Sequence, residues 1–373
     1  MENIYRPTVI EVDLNAIKSN IMSLKGKLPS KTQIIAVVKA NAYGHGDIQV
    51  ARAALEVGAT ILAVATPEEA IRLRENGIHS EILILGATPP SFFQLASDLD
   101  ITLTAYSVEW VFATKNIKKP LKVHVKIDSG MGRIGFTDIG ELKEAIKFIN
   151  ENPWVEITGA YTHFATADEE HTEYYMRQVK KFNNLLSVFK EKPKVVHTSN
   201  SAAALRYPDE SRDAVRYGIS MYGIAPSPWL SEHLPFPLKK ALSLYSEVTH
   251  VKKVKQGTSI GYGATYTAQK DEWIATLPIG YADGLLRNLQ SQEVLVKGKR
   301  VPIVGRICMD QCMVRLNEPV EVGEKVVLLG MQKEEEIKIE EWANKLQTIP
   351  YEICCTLSAR IPRLYSEQNI DKP

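Results

Sequence analysis

Apolar and polar positions follow two rhythms along this chain. From Gln33 to about Pro226, short apolar runs alternate with stretches of helical period. The runs are Ile34–Val38, Ile61–Ala65, Glu81–Leu85, Ile101–Ala105, Lys122–Ile127, Val155–Phe164, Lys194–His197 and the short Ala214–Val215. The helical stretches between them include Asp47–Val57, Pro67–Asn76, Ser91–Ser97, Val108–Lys115, Glu141–Asn150 and Glu169–Phe189. Strand–helix alternation predicts a parallel sheet with helical crossovers. Eight such units predict an α/β fold with a closed (β/α)8, TIM-like barrel. The rival, an open doubly wound sheet, usually carries a GxGxxG turn after its first strand, and this chain has none there.

The second rhythm begins near Leu242. LYSEVTHVKKV, EWIATLPIG, EVLVKGKRVPIVG, MVRLN and EKVVLLG are short alternating segments divided by Gly and Pro, which predicts a mostly-β domain. One helix, Ile339–Leu346, interrupts it, and the proline-dense LPFPLKK marks the linker. Thr8–Val12 reads as one more strand. The expected layout is an N-terminal strand within residues 1–12 that packs with the β domain, a barrel over 13–236 and the β domain over 237–373.

Composition narrows the function more than the fold. Hydrophobic residues are 45% and charged residues 24%, the balance of ordinary globular proteins. A formal net charge of +1 gives no global attraction for nucleic acid or an anionic membrane. No apolar run approaches the roughly 20 residues that span a bilayer, and the start lacks the regions of a signal peptide. Cys308, Cys312, Cys354 and Cys355 form no paired CxxC units, so neither a metal site nor a disulfide framework is expected, and the compartment expected is the cytoplasm.

A barrel places its chemistry at the C-terminal ends of its strands. There the chain sets Lys39 and Tyr43 after the first barrel strand, and Lys126, Asp128 and Arg133 after the fifth. His163 follows the sixth, His197, Asn200 and Ser201 the seventh, and Arg216, Gly218 and Ile219 the eighth. Lys39 ends a buried strand. A lysine there reaches water, pairs with an anion or loses its proton; a desolvated one forms Schiff bases with carbonyls. A solvated lysine capping the strand is the plainer alternative. HTSNSAA and RYGISMYG suit a phosphate, which such barrels often hold between their last two strands. Phosphate and lysine together suggest a phosphorylated aldehyde, of which pyridoxal phosphate is the obvious one.

The motifs AVVKANAYGHG (Ala36–Gly46), KIDSGMGRIG (Lys126–Gly135), THFATAD (Thr162–Asp168), HTSNSAA (His197–Ala203), VRYGISMYG (Val215–Gly223), GYGATYTA (Gly261–Ala268), LPIGYADG (Leu277–Gly284) and GRICMDQ (Gly305–Gln311) run through nearly the whole chain. In identity and order they resemble the alanine racemase family of fold-type III pyridoxal 5′-phosphate enzymes. The resemblance implies interconversion of L- and D-alanine by two bases, in supply of D-alanine for peptidoglycan. Lys39 would hold the cofactor and act on one face of the substrate. Tyr262, from the partner subunit of a homodimer with shared sites, would act on the other. Tyr43, Asn200, Ser201, Gly218, Ile219 and Tyr351 would bind the cofactor, mainly at its phosphate, and Arg216 its pyridine nitrogen. Arg133 would meet cofactor and substrate, with His163 beside it. Met309, Tyr281 and Asp310 would line the substrate entrance, and Lys126 would be a carbamate or an ordinary lysine. Racemases of serine, lysine or a broader range share these features. Fold-type III decarboxylases resemble a pattern with an acidic residue where this chain has Arg216, and pyridoxal phosphate carriers have the barrel alone.

Overall fold

Eight parallel strands close into a barrel in the computed structural model, which describes residues 4–366. After β1 (Thr8–Asp13) come the barrel strands: β2 (Gln33–Val37), β3 (Ile61–Val64), β4 (Glu81–Ile84), β5 (Ile101–Ala105), β6 (Leu121–Lys126), β7 (Val155–Tyr161), β8 (Val195–His197) and β9 (Ala214–Tyr217). Each pairs in parallel with the next, and β2 pairs with β9 to close the ring. Helices such as Asp47–Glu56, Pro67–Glu75 and Ile139–Glu151 connect them. β3 and β5 are buried at every position, as expected of strands covered on both faces. The barrel and the β domain after it are therefore as the two rhythms predict.

The chain divides into two compact units. One runs from Ala16 to Ala42 and from Asp47 to Lys240, and holds the barrel. The other takes the chain up to Asn15, Tyr43–Gly46 and everything from Ala241 on. Its strands are β10 (Leu242–Glu247), β11 (His250–Val254), β12 (Ser259–Ile260), β13 (Tyr266–Thr267), β14 (Glu272–Leu277), β15 (Glu293–Val296), β16 (Lys299–Val304), β17 (Cys312–Leu316), β18 (Lys325–Gln332), β19 (Glu335–Ile337) and β20 (Arg363–Ser366). The main sheet has the order β11-β14-β17-β16-β15-β18-β10-β1-β20. β1 lies antiparallel to β10 and parallel to β20, and buries Thr8, Ile10 and Val12.

Local departures have local causes. The helix expected over Glu169–Phe189 spans only Glu173–Leu186. A second helix in the β domain, Pro350–Thr356, has Pro at its start and buries Ile353 and Cys354. Seven residues are too few to display a helical period, so the pattern does not announce it.

Candidate active site

The segment after β2 does not turn in the ordinary way. Ala40, Asn41, Ala42 and Tyr43 all have φ near +52°, with ψ near +50° at the first three. This is a left-handed turn made without glycine, at roughly 1–2 kcal/mol per residue. Neighbours hold it. Ala40 N donates to Glu69 Oε1 (2.6 Å), while Glu69 Oε2 accepts from Ala65 N (2.7 Å) and closes the capping box of helix Pro67–Glu75. Asn41 Oδ1 accepts from Asp47 N at 3.1 Å. Lys39 stands half-buried at the head of this turn.

On the same barrel rim lies a dense set of cations and neutral rings. Arg216 is buried at 3% exposure. Its Nη1 donates to His197 Nδ1 (2.8 Å) and His197 O (3.0 Å). Its Nη2 donates to Thr162 O (2.7 Å) and Thr198 O (2.9 Å) and stands 3.3 Å from His163 Nδ1. Nε–H makes no hydrogen bond among the described residues. Burial lowers the Arg216 pKa to about 10, which leaves it a cation at neutral pH. Burial first, and then Arg216, hold His163 and His197 well below the usual imidazole range, so both rings are neutral. Lys39, Lys126 and Arg133 add to this effect on His163, which places all four cations around one ring.

Lys126 is buried, donates from Nζ to Ile127 O (3.1 Å) and lies 5.1 Å over the Tyr161 ring. Burial, followed by Arg216, lowers its pKa to about 7. Burial works against ionisation of Asp128 as well. There the N–H groups of Gly130, Gly132 and Arg133, with Lys126, outweigh it and hold the carboxyl below its usual range. Those bonds shape the loop that presents the exposed Arg133. Between the last two strands, Ser201 Oγ accepts from Gly218 N (2.9 Å), and Asn200 Oδ1 caps helix Ser201–Arg206 through Ala203 N (3.0 Å). Ile219 opens a short 3-10 turn whose Ser220 Oγ is buried without a partner among the described residues. Helix and turn starts leave N–H groups for an outside acceptor.

The second unit carries the other expected residues. Tyr43 and Tyr351 stand 6.2 Å apart, ring to ring, and burial raises the Tyr43 phenol. Tyr281 N donates to Cys308 O and Ala282 N to Met309 O, both at 3.0 Å, so the two expected entrance loops are tied together. Asp310 Oδ1 accepts from Arg360 Nη2 at 2.8 Å. Tyr262 is 72% exposed and Met309 53%. Tyr262 stands in a turn that needs glycine on both sides, with φ of +75° at Gly261 and +72° at Gly263.

The structure adds Tyr161, His124 and Glu69. Tyr161 stacks on His197 (4.7 Å, 8°) and lies under Arg216 (5.4 Å). Thr104 Oγ1 and Tyr161 OH share a hydrogen bond of 2.8 Å, and carbonyl acceptors stand at both ends of it, Ile84 O 2.7 Å from Thr104 Oγ1 and Leu85 O 3.2 Å from Tyr161 OH. His124, in LKVHVK, is a polar residue at an interior position of a barrel strand, and that misfit is the signal that marks it.

Residues 12–226 match the family model for the alanine racemase N-terminal domain, and 241–365 that for the C-terminal domain. Alanine racemase of Geobacillus stearothermophilus is 51% identical over 368 residues, 98% of this chain and 95% of that protein. The chain belongs to the alanine racemase family. It is an isomerase. The crystal structure of alanine racemase from Bacillus anthracis with bound L-Ala-P has a TM-score of 0.95 at 48% identity, covering 98% of this chain and 96% of that one. A histidine racemase from Leuconostoc mesenteroides has a TM-score of 0.92 at 33% identity, covering 98% and 99%. The alanine racemase fold thus also appears under another substrate name. In this member, the barrel unit brings Lys39, Lys126, Arg133, His163, Asn200, Ser201, Arg216, Gly218 and Ile219 to one rim.

Proposed function

We propose that this protein interconverts L-alanine and D-alanine with pyridoxal 5′-phosphate held at the barrel rim. The observation that carries the cofactor is the charge and donor set of that rim. Lys39, Lys126, Arg133 and Arg216 gather around His163, and the carboxylate of Asp128 stands beside Lys126. Arg216 keeps an N–H beyond its carbonyl and histidine partners, and the loops at Ser201 and Ile219 offer amides. Such a set fits an anionic, phosphate-bearing ring with a basic nitrogen. When bound, the cofactor supplies an aldehyde for an amine and a conjugated ring that makes the substrate's α-proton acidic.

The chain's own residues do the rest. Lys39 would hold the cofactor, and its Nζ moves the α-proton on one face. Tyr262 of a second copy moves a proton at its phenolic oxygen on the other. Two opposed bases invert the centre without the substrate turning over. Asn200, Ser201, Gly218, Ile219, Tyr43 and Tyr351 hold the phosphate. Arg216 donates to the pyridine nitrogen and, having no lone pair, keeps that nitrogen unprotonated. With the cofactor bound, this would leave the ring a weaker electron sink and favour plain proton exchange. It also separates this chain from decarboxylases with an acidic residue there. Arg133, with His163 beside it, meets the substrate, and Met309, Tyr281 and Asp310 of the second copy form the entrance. The product would serve peptidoglycan, with the enzyme in the cytoplasm.

Lys126 fits a carbamate. With its pKa near 7, a fraction of the amine is unprotonated at neutral pH and can add to carbon dioxide, releasing a proton. The resulting anion would orient Arg133. Native intact mass, with and without bicarbonate, reads it directly; an unmodified amine in both samples rejects it.

The deciding assay is conversion of L-alanine to D-alanine by the cofactor-loaded protein, with serine, lysine and histidine as competitors. D-alanine in preference to the others is the expected result. No D-alanine would overturn the proposal, and faster turnover of a competitor would favour the broader racemase that the histidine enzyme's likeness makes the second reading.

A further inference from the structure

A line of polar side chains crosses the barrel interior from the rim to the opposite end. Its first link is Arg216 Nη1 to His197 Nδ1 at 2.8 Å. A guanidinium only donates, so His197 Nδ1 carries the lone pair and its proton sits on Nε2. That Nε2 is 2.9 Å from His124 Nδ1. His124 Nδ1 therefore accepts, and the His124 proton sits on Nε2. Burial, then Arg216, lowers His124 to about 3, so the ring is neutral and has one proton to place.

His124 Nε2 is fully buried and has no hydrogen-bond partner among the described residues. It faces Glu81 Oε1 at 3.8 Å. Glu81 is the first residue of β4, at the N-terminal end of the barrel, with its side chain 33% exposed. The groups around Glu81 are Thr102, whose Oγ1 donates to it at 3.3 Å, and Lys122, Asp100 and Lys194. The neighbouring strand is also built for the ring. Gly159 of β7 pairs with His124 at a register shift, and a Cβ there would come within 2.5 Å of His124 Nε2. Glycine inside a strand marks such a close approach.

We propose that Glu81 and His124 are positioning residues for Arg216. The carboxylate holds the proton of His124 on Nε2; His124 then holds that of His197 on Nε2; and His197 keeps a lone pair towards the guanidinium. Without this order, His197 could turn a proton towards Arg216, and two donors would meet in a buried space. The consequence for turnover rests on the role of Arg216 proposed above, whereas the tautomer order does not.

Glu81→Gln tests the relay, because an amide offers His124 a donor or an acceptor equally and removes the preference. Imidazole 15N resonances of the full-length, cofactor-loaded protein report which nitrogen of each ring is protonated. In the wild type, His124 and His197 should both show Nε2–H. In Glu81→Gln, an Nδ1–H form should appear at both, with kcat down about tenfold, the scale of loss when a group behind a liganding side chain goes, and KM little changed. His124→Asn, which breaks the line at its middle, should lower kcat alike. Wild-type tautomers in Glu81→Gln would overturn the relay at any rate. Shifted tautomers with wild-type kcat would instead overturn the link to Arg216's role.

Discussion

At the scale of single residues, the rim is a place where ordinary protonation fails. His124 and His197 are buried and His163 is half-buried; all three are neutral, each with a pKa below the usual 6.5, from burial first and then Arg216. In the unfolded chain these rings bind protons as pH falls through about 6.5, while the folded rings do not. Their contribution to stability is thus complete above that pH and is lost progressively below it, at up to about 1.4 kcal/mol per ring and pH unit. The urea midpoint should fall between pH 7 and 5.5, before the carboxylates titrate, and His124→Asn should shrink that fall. An unchanged midpoint over this range would show that the rings are charged in the fold. Lys39 tests the chemistry at the same scale. Lys39→Ala, purified with pyridoxal phosphate, should lack the visible band of the bound cofactor and lose several orders of magnitude in turnover. A wild-type spectrum and rate would remove Lys39 from the mechanism.

At the scale of elements, the left-handed turn at Ala40–Tyr43 is where backbone strain and function meet. Ala40 is exposed, so a change there alters backbone preference without opening a cavity. Ala40→Gly should leave stability unchanged or raise it by up to about 1 kcal/mol, while kcat falls because Lys39 is held less firmly. Ala40→Val should destabilise by more than about 1 kcal/mol. Urea midpoints and kcat for the pair check this; a clear loss of stability in Ala40→Gly would mean that the turn is unstrained. Legibility in the sequence divides at this scale too. The barrel strands can be read because burial on both faces leaves uninterrupted apolar runs, as in Ile61–Val64. Lys39 and Arg216 stand out as charges at the ends of such runs, and Arg133 as a charge in the glycine-rich turn that follows one. The handedness of the turn cannot be read, since neither alanine nor tyrosine favours it and Glu69, which supports it, acts from another helix. Tyr161 escapes because a tyrosine in a strand looks like ordinary core until its ring is seen on His197.

At the scale of the whole molecule, the proposed site needs two chains. Tyr262 and Met309 are largely exposed on the single chain, although a catalytic base and a substrate contact require a dry pocket. If each site joins one barrel to the Tyr262 of a second copy, Lys39→Ala and Tyr262→Phe are both inactive alone and complement when mixed. About half of randomly exchanged dimers are mixed, and each has one intact site, so activity should recover to roughly a quarter of wild type. Inactivity after exchange confirmed by mass labels would place both bases in one chain.

The pairing of β1 with β10 and β20 also fixes a timetable for the growing chain. β1 leaves the ribosome before the barrel, but both its partners are encoded beyond the entire barrel. At about 5–20 residues per second, β1 waits on the order of ten seconds or more for β10. During that interval Ile10 and Val12, buried in the finished sheet, have no sheet to enter, and both backbone edges of the strand stay open. The barrel can fold meanwhile, whereas β1 is the segment a chaperone would need to shield.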